Sequence, residues 1–178
     1  MRKAEGRRIV AGVSGPLGSL AALHRAADEA RRHHCELLAV LAWEPPGGEL
    51  AHRRSSFPSP VADFRKDAAD RLLSALRTAF GDAGPGVPFQ GLVVRGAPGR
   101  ALTETADRVD DLIVIGAGCR GRMRRALFPS VARYCVAHAT CPVLAVPPSP
   151  LQRELTSVHR RISLRLPIDT RELTNDRS

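Results

Sequence analysis

The sequence predicts an α/β domain built on an open five-stranded parallel sheet with helices on both faces. Two observations predict this fold. Short apolar segments alternate along the chain with longer amphipathic ones, which is the order of strands and helices in such domains. The apolar segments also lack the polar–apolar alternation of a strand with one solvent-facing side, so we expect a sheet that is covered on both faces.

The strands are predicted where apolar runs end in turn-forming residues. The first run, 9–13, is followed by Ser-Gly-Pro, and the second, 37–43, by a loop over 44–60 that is rich in Pro, Gly and Ser. The other predicted strands cover 89–94, 112–115 and 142–146.

The helices are predicted from apolar residues that recur every three to four positions. In the segment 19–33 such residues fall on one face, and charged residues occupy the other. The remaining predicted helices cover 61–80, a short stretch that follows the turn 95–99 and ends near residue 109, and 130–138.

The composition fits one domain with a core of small and branched side chains. The chain has 178 residues, of which 43% are hydrophobic and only 4% aromatic. Residues 1–147 contain all the predicted strands and helices of this domain. Residues 148–178, which begin in a Pro-rich stretch, are predicted to form an appendage that is partly ordered.

The strong positive charge makes nucleic acid one candidate partner. The formal net charge is +9, and almost all of it comes from arginine, since Lys3 and Lys66 are the only lysines. However, stacking aromatics are few and no recognised nucleic-acid module is present. We therefore expect no specific nucleic-acid partner, and non-specific binding remains an alternative function.

The location of the protein is predicted from the length and the interruptions of its apolar segments. No apolar run approaches the roughly 18 residues needed to span a membrane. The basic N-terminus is followed by a stretch that Gly and Pro interrupt, unlike a signal peptide. We expect a cytoplasmic protein without a membrane partner, whose four cysteines are reduced.

The loop after the fourth predicted strand carries the clearest signal for a ligand. Ligands of such sheets bind outside the carboxyl ends of the strands, and this loop runs from Gly116 to Val131. Its glycines let a backbone approach phosphates, and Ser130 precedes a helix start where free N–H groups favour an anion. Five arginines add positive potential: Arg120, Arg122, Arg124, Arg125 and Arg133. A solvated basic loop is the alternative interpretation.

The same loop resembles the ATP-binding signature of the universal stress protein family, Gly-x2-Gly-x9-Gly-Ser/Thr. Gly116, Cys119, Pro129 and Ser130 stand at its marked positions. Other segments resemble the family in the same order along the chain: 9–15, 39–45, 96–102 with 111–116, and 138–144. The resemblance covers residues 7–147. It implies a Rossmann-like fold of universal stress protein type and a non-catalytic stress-response or regulatory role.

The resemblance also implies a pocket for ATP or another adenine nucleotide. Carried over by matching position, its residues are Gly12, Ser14, Leu41, Gly116, Gly118, Cys119, Arg120, Ser130 and Val131. ATP-binding members carry Asp where this chain has Ser14, and two signature glycines are replaced by Cys119 and Pro129. Pro129 removes a backbone N–H where a phosphate would be met. We therefore expect ATP binding to be weak or absent.

A second resemblance gives an enzymatic alternative. The segment 14–19 partly resembles the Ser-Gly-Gly-x-Asp-Ser loop of the ATP pyrophosphatases, whose backbone amides wrap a pyrophosphate. Here Pro16 lacks an amide and Gly18 replaces the acid, which weakens this interpretation.

Two further features concern metal and self-association. Cys135, His138 and Cys141 have a spacing that suits zinc, but no fourth ligand is obvious and core packing is the preferred interpretation. The last predicted strand offers the apolar edge Val143–Val146. Members of the family commonly pair through this strand, which implies a homodimer.

Overall fold

The computed structural model describes residues 6–14, 19–45, 61–117 and 130–148 of the chain. Strands and helices alternate throughout these ranges, as the sequence predicts. The elements are β1 (Arg8–Gly12), α1 (Leu20–His33), β2 (Glu36–Trp43), α2 (Val61–Phe80), β3 (Phe89–Arg95), α3 (Pro98–Thr105), β4 (Leu112–Gly116), α4 (Val131–His138) and β5 (Val143–Val146).

The strands form one parallel sheet in the order β3-β2-β1-β4-β5. The strand β1 lies at the centre, where Ile9 pairs with Leu37 of β2 on one side and with Leu112 of β4 on the other. The chain thus leaves β1 in one direction and reaches β4 in the other, which creates a switch point between them. The predicted fold class is confirmed.

Each face of the sheet has its own apolar core. Side chains at alternate strand positions, such as Ile9 and Leu41, pack with α1 and α2. The intervening positions, such as Val10 and Ile113, pack with α3 and α4. Alanines dominate the buried face of α1, so this helix can lie close to the sheet. Close packing of small side chains thus fills the core of a chain that has few aromatic residues.

A buried ion pair joins the starts of β1 and β4. The Arg8 guanidinium donates to both carboxylate oxygens of Asp111, at 3.0 and 2.5 Å, and Asp111 is fully buried. The same guanidinium reaches the exposed Asp107 at 2.5 Å. The pKa of Arg8 is raised chiefly by its hydrogen bond to Asp111.

This ion pair also explains one error in the sequence prediction. The helix expected to end near residue 109 ends at Thr105, because Ala106 is not helical (φ −84°, ψ 70°). Arg8 donates to the carbonyl of Thr105 at 3.4 Å, which satisfies an acceptor at the helix end. The backbone N–H of Arg108 donates to Asp111 and closes the turn that leads into β4.

The lengths and polarity of the helices bear on the membrane prediction. Within the described ranges, every helix is too short or too polar to cross a bilayer.

Candidate functional site

The turn after β1 is closed by a pair of serines. The backbone N–H of Ser14 donates to Ser19 Oγ at 2.6 Å, and the two hydroxyl oxygens are 3.2 Å apart. Ser19 is buried and directly precedes α1, yet its hydroxyl makes no capping bond to that helix. The backbone N–H and the hydroxyl of Ser14 therefore both contact Ser19.

Two other residues of the predicted pocket are packed in the core. A Cβ at Gly12 would lie 2.9 Å from Ile115 Cγ2 of β4 and 3.0 Å from Leu102 Cδ1 of α3, so a larger residue there would force these side chains to shift. Leu41 has no exposed surface and lies in the core beneath α1 and α2. Both residues support the carboxyl edge of the sheet from below.

The end of β4 and the start of α4 supply polar groups at the same edge. Gly116 pairs with Val146, and the Ala117 N–H donates to the Val146 carbonyl at 2.7 Å. Ser130 precedes α4 in an extended conformation (φ −70°, ψ 128°), and its hydroxyl makes no capping bond. Val131 begins the helix and is partly buried. A helix start whose first serine makes no capping bond is suited to an anion.

The other predicted pocket residues, Gly118, Cys119 and Arg120, lie outside the described residues, as does Pro129. The structure thus brings Ser14, Gly116 and Ser130 to the carboxyl edge and places Gly12 and Leu41 in the packing beneath it.

A depression of about 700 Å³ lies at the carboxyl ends of β2 and β3, where the sequence predicts no site. Its lining residues come from the ends of these strands and from α3: Glu44, Arg95, Gly96, Ala97, Arg100, Ala101 and Glu104. Gly96 has φ +132°, a conformation that favours glycine, and it turns the chain from β3 into α3. The carboxyl ends of parallel strands lie at one edge of the sheet. The charged residues at the ends of β2 and β3, Glu44 and Arg95, were therefore the sequence signal that could have predicted this depression.

The charges in the depression are balanced. Arg100 and Glu104 form an ion pair at 2.6 Å on α3. The Arg95 guanidinium carbon lies 5.7 Å from the centre of the Trp43 ring, within range of a cation–π contact. Trp43 also stacks on Phe64 of α2. The lining of the depression therefore offers both hydrogen-bond donors and acceptors.

The residues with zinc-like spacing are separated by their surroundings. Cys135 and Cys141 are buried, and the Cys135 thiol donates to the Gly99 carbonyl at 3.9 Å. His138 is exposed and stacks on Tyr134, with 4.1 Å between the ring centres. Among the described residues, no three His, Cys, Asp or Glu side chains are grouped so as to hold a metal ion.

Comparison with known proteins gives a consistent match to one family. The model of the universal stress protein family matches residues 6–147. Universal stress proteins of Mycobacterium tuberculosis and Mycolicibacterium smegmatis are 27% identical over 136 residues and 28% identical over 145 residues, respectively. These matches cover 76% and 79% of this chain but only 43% and 45% of the relatives. The chain therefore spans less than half the length of these curated relatives.

Solved structures agree with this match. A universal stress protein crystallised in complex with cAMP is 26% identical, with a TM-score of 0.53, over 80% of this chain and 98% of its own. A universal stress protein from Lactobacillus plantarum has a TM-score of 0.55 at 22% identity, over 81% of this chain and 99% of its own. The similarity to the Lactobacillus plantarum protein shows the fold alone.

Proposed function

The chain belongs to the universal stress protein family, and we propose that it is a non-catalytic member whose adenine-nucleotide site binds ATP weakly or not at all. The observation that carries this proposal is the serine pair at the switch point. Ser14 stands where ATP-binding members have Asp, and its N–H and hydroxyl are engaged by Ser19. Because residue 14 is a serine, this position supplies no carboxylate for a nucleotide.

The class of ligand is supported by the carboxyl edge and by one relative. The Ser130 hydroxyl makes no capping bond and, together with the first N–H groups of α4, can donate to a phosphate. The relative crystallised with cAMP has the same fold at 26% identity. A residual site for an adenine nucleotide is thus retained, and the depression beside Trp43 lies at the same edge.

The experiment is calorimetric titration of ATP, AMP and cAMP into the native chain and two variants. Changing Pro129→Gly with Cys119→Gly restores a backbone donor and removes a side chain, which we expect to strengthen ATP binding by roughly ten- to a hundredfold. Ser130→Ala should weaken any residual binding, whereas Ser74→Ala, on the exposed face of α2, should not. Micromolar ATP binding by the native chain contradicts weak binding, and steady release of ADP contradicts the non-catalytic role.

We further propose that the protein forms a homodimer through β5. This strand pairs only with β4 among the described residues, and the free side is apolar with Ala145 exposed. The variant Ala145→Lys should lower the mass measured by light scattering at tens of micromolar. An unchanged mass, or a monomeric native chain, contradicts this interface.

The domain limits and the location are proposals as well. Residues 1–147 form the domain and 148–178 an appendage, so a chain that ends at residue 147 should keep its unfolding midpoint. A cytoplasmic location fits the free thiols of Cys35, Cys135 and Cys141.

A further inference from the structure

The opposite edge of the sheet, formed by β3, is unprotected within the described part of the chain. β3 pairs with β2 in unbroken register from Phe89 to Arg95, without a bulge. It contains no proline and no charge before its last residue. Natural edge strands normally carry such features because they prevent pairing with another strand. At the start of β3, the side chain of Phe89 is 47% exposed.

The hydrogen bonds to β2 show which groups of β3 point outward. Leu37 N–H donates to the Pro88 carbonyl, and Gly96 N–H donates to the Trp43 carbonyl. Backbone N–H and carbonyl groups alternate in direction along a strand. The backbone groups of the even-numbered residues from 88 to 96 therefore point towards β2. The N–H and carbonyl groups of Phe89, Gly91, Val93 and Arg95 therefore point to the free side.

These outward groups match those of a second copy in one full-length antiparallel register. With Leu92 on the two-fold axis, Phe89 lies opposite the partner's Arg95, and Gly91 lies opposite the partner's Val93. All of these are hydrogen-bonded pairs, so the contact forms about eight backbone hydrogen bonds. The register uses the whole strand.

The side chains support the same register. Arg95 pairs in register with Trp43 of β2 and lies against its ring. In the two-fold pair, Phe89 of the second copy lies on the other side of Arg95, on the same face of the sheet. The guanidinium would then lie between two aromatic rings at each end of the contact. We infer that β3 is a second self-association edge, at which two copies pair antiparallel about Leu92.

Site-specific cross-linking tests the register directly. Leu92→Cys places two thiols opposite each other in a pair with Cα atoms about 4.5 Å apart, within disulfide range. Under mild oxidation of the full-length chain, we expect a covalent dimer on a non-reducing gel. The matched control is Val94→Cys, which lies opposite the partner's Gln90 and should cross-link no more than the native chain. Equal cross-linking of the two variants overturns the proposal.

A charge exchange tests the side-chain pairing. Phe89→Arg puts like charges opposite each other, which should weaken this contact by about tenfold or more in sedimentation equilibrium. Adding Arg95→Glu should restore association, and Leu73→Arg, on an exposed position of α2, should leave it unchanged. Circular dichroism checks the fold of each variant. The proposal is overturned if Phe89→Arg has no effect, or if Leu92→Cys cross-links only after residues 149–178 are removed.

Discussion

At the residue scale, packing explains two glycines of this domain that lack a positive φ, Gly12 and Gly99. Gly12 and Gly99 both lie where α3 approaches its neighbours, and neither has a positive φ. A Cβ at Gly99 would lie 2.6 Å from Cδ1 of Tyr134, which is closer than any relaxed contact. A glycine near a ligand edge is therefore poor proof of a ligand, as Gly12 also shows.

Gly99→Ala should destabilise the protein by about 1–3 kcal/mol, because Tyr134 must move away from the new methyl group. In an open helix position the same change would stabilise by roughly 0.5–1 kcal/mol, so the sign is informative. Urea denaturation measures the effect. In a Tyr134→Ala background the penalty should shrink, and an equal penalty in both backgrounds would refute the clash.

The Cys135 thiol should make the stability of the protein fall as pH rises in the alkaline range. Burial raises the pKa of Cys135 from 9.0 to about 11. Since the folded state holds the proton more tightly, the thiol's contribution is fully present below pH 9 and is lost as pH rises towards 11. The loss is about 1–3 kcal/mol. In urea denaturation, Cys135→Ala should lose less stability over this range than the native chain does.

The control for this pH effect is Val136→Ala, a change at an exposed position on the same helix. Its stability should fall with pH as steeply as that of the native chain. An identical slope in Cys135→Ala would show that this thiol does not contribute.

At the element scale, the ion pair of Arg8 and Asp111 should be the polar contact whose loss lowers the stability of the protein most. It joins β1 to β4 at the end of the sheet opposite the candidate site, and Asp111 is fully buried. Asp111→Asn removes the buried carboxylate and leaves the Arg8 guanidinium with the exposed Asp107 as its carboxylate partner, so we expect a loss of about 2–3 kcal/mol. Asp107→Asn removes a partner that is 51% exposed and should cost less than about 1 kcal/mol. Equal thermal shifts in the two variants would contradict this ranking.

The elements show what the sequence could predict and what it could not. Strands such as β2 were predicted because a continuous apolar run between turn residues is typical of a buried strand, and α1 because its apolar face repeats regularly. The end of α3 was missed because it depends on Arg8, which is distant in sequence. Ser14 and Ser130 lie at the carboxyl edge of the sheet, and their role in a site stays a prediction. Their hydrogen bonding, and the depression lined by Arg95, depend on how separate strand ends meet.

At the scale of the whole molecule, the two edges of the sheet determine assembly. The proposed contacts at β5 and β3 lie on opposite sides of one five-stranded sheet. Two different two-fold contacts on one subunit do not both close in a dimer, so association through both edges extends to larger assemblies. The variants Ala145→Lys and Phe89→Arg should therefore each stop growth at a dimer.

The net charge of +9 should give only weak, sequence-independent binding to DNA. Within the described part of the chain, several arginines are paired with carboxylates, namely Arg8, Arg25, Arg31, Arg32 and Arg100. Unlike these, the arginines in the loop after β4 have few acids near them in sequence, so they should make most of the phosphate contacts. With about three contacts, affinity should fall roughly 40-fold between 50 and 200 mM salt. Fluorescence anisotropy with two unrelated duplexes measures the affinity at each salt concentration.

Replacing Arg120, Arg122 and Arg124 by Ala should flatten the salt dependence, whereas replacing Arg25, Arg31 and Arg32 should change it little. Tight binding to one duplex at physiological salt would contradict the prediction, because such selectivity requires contacts to base edges.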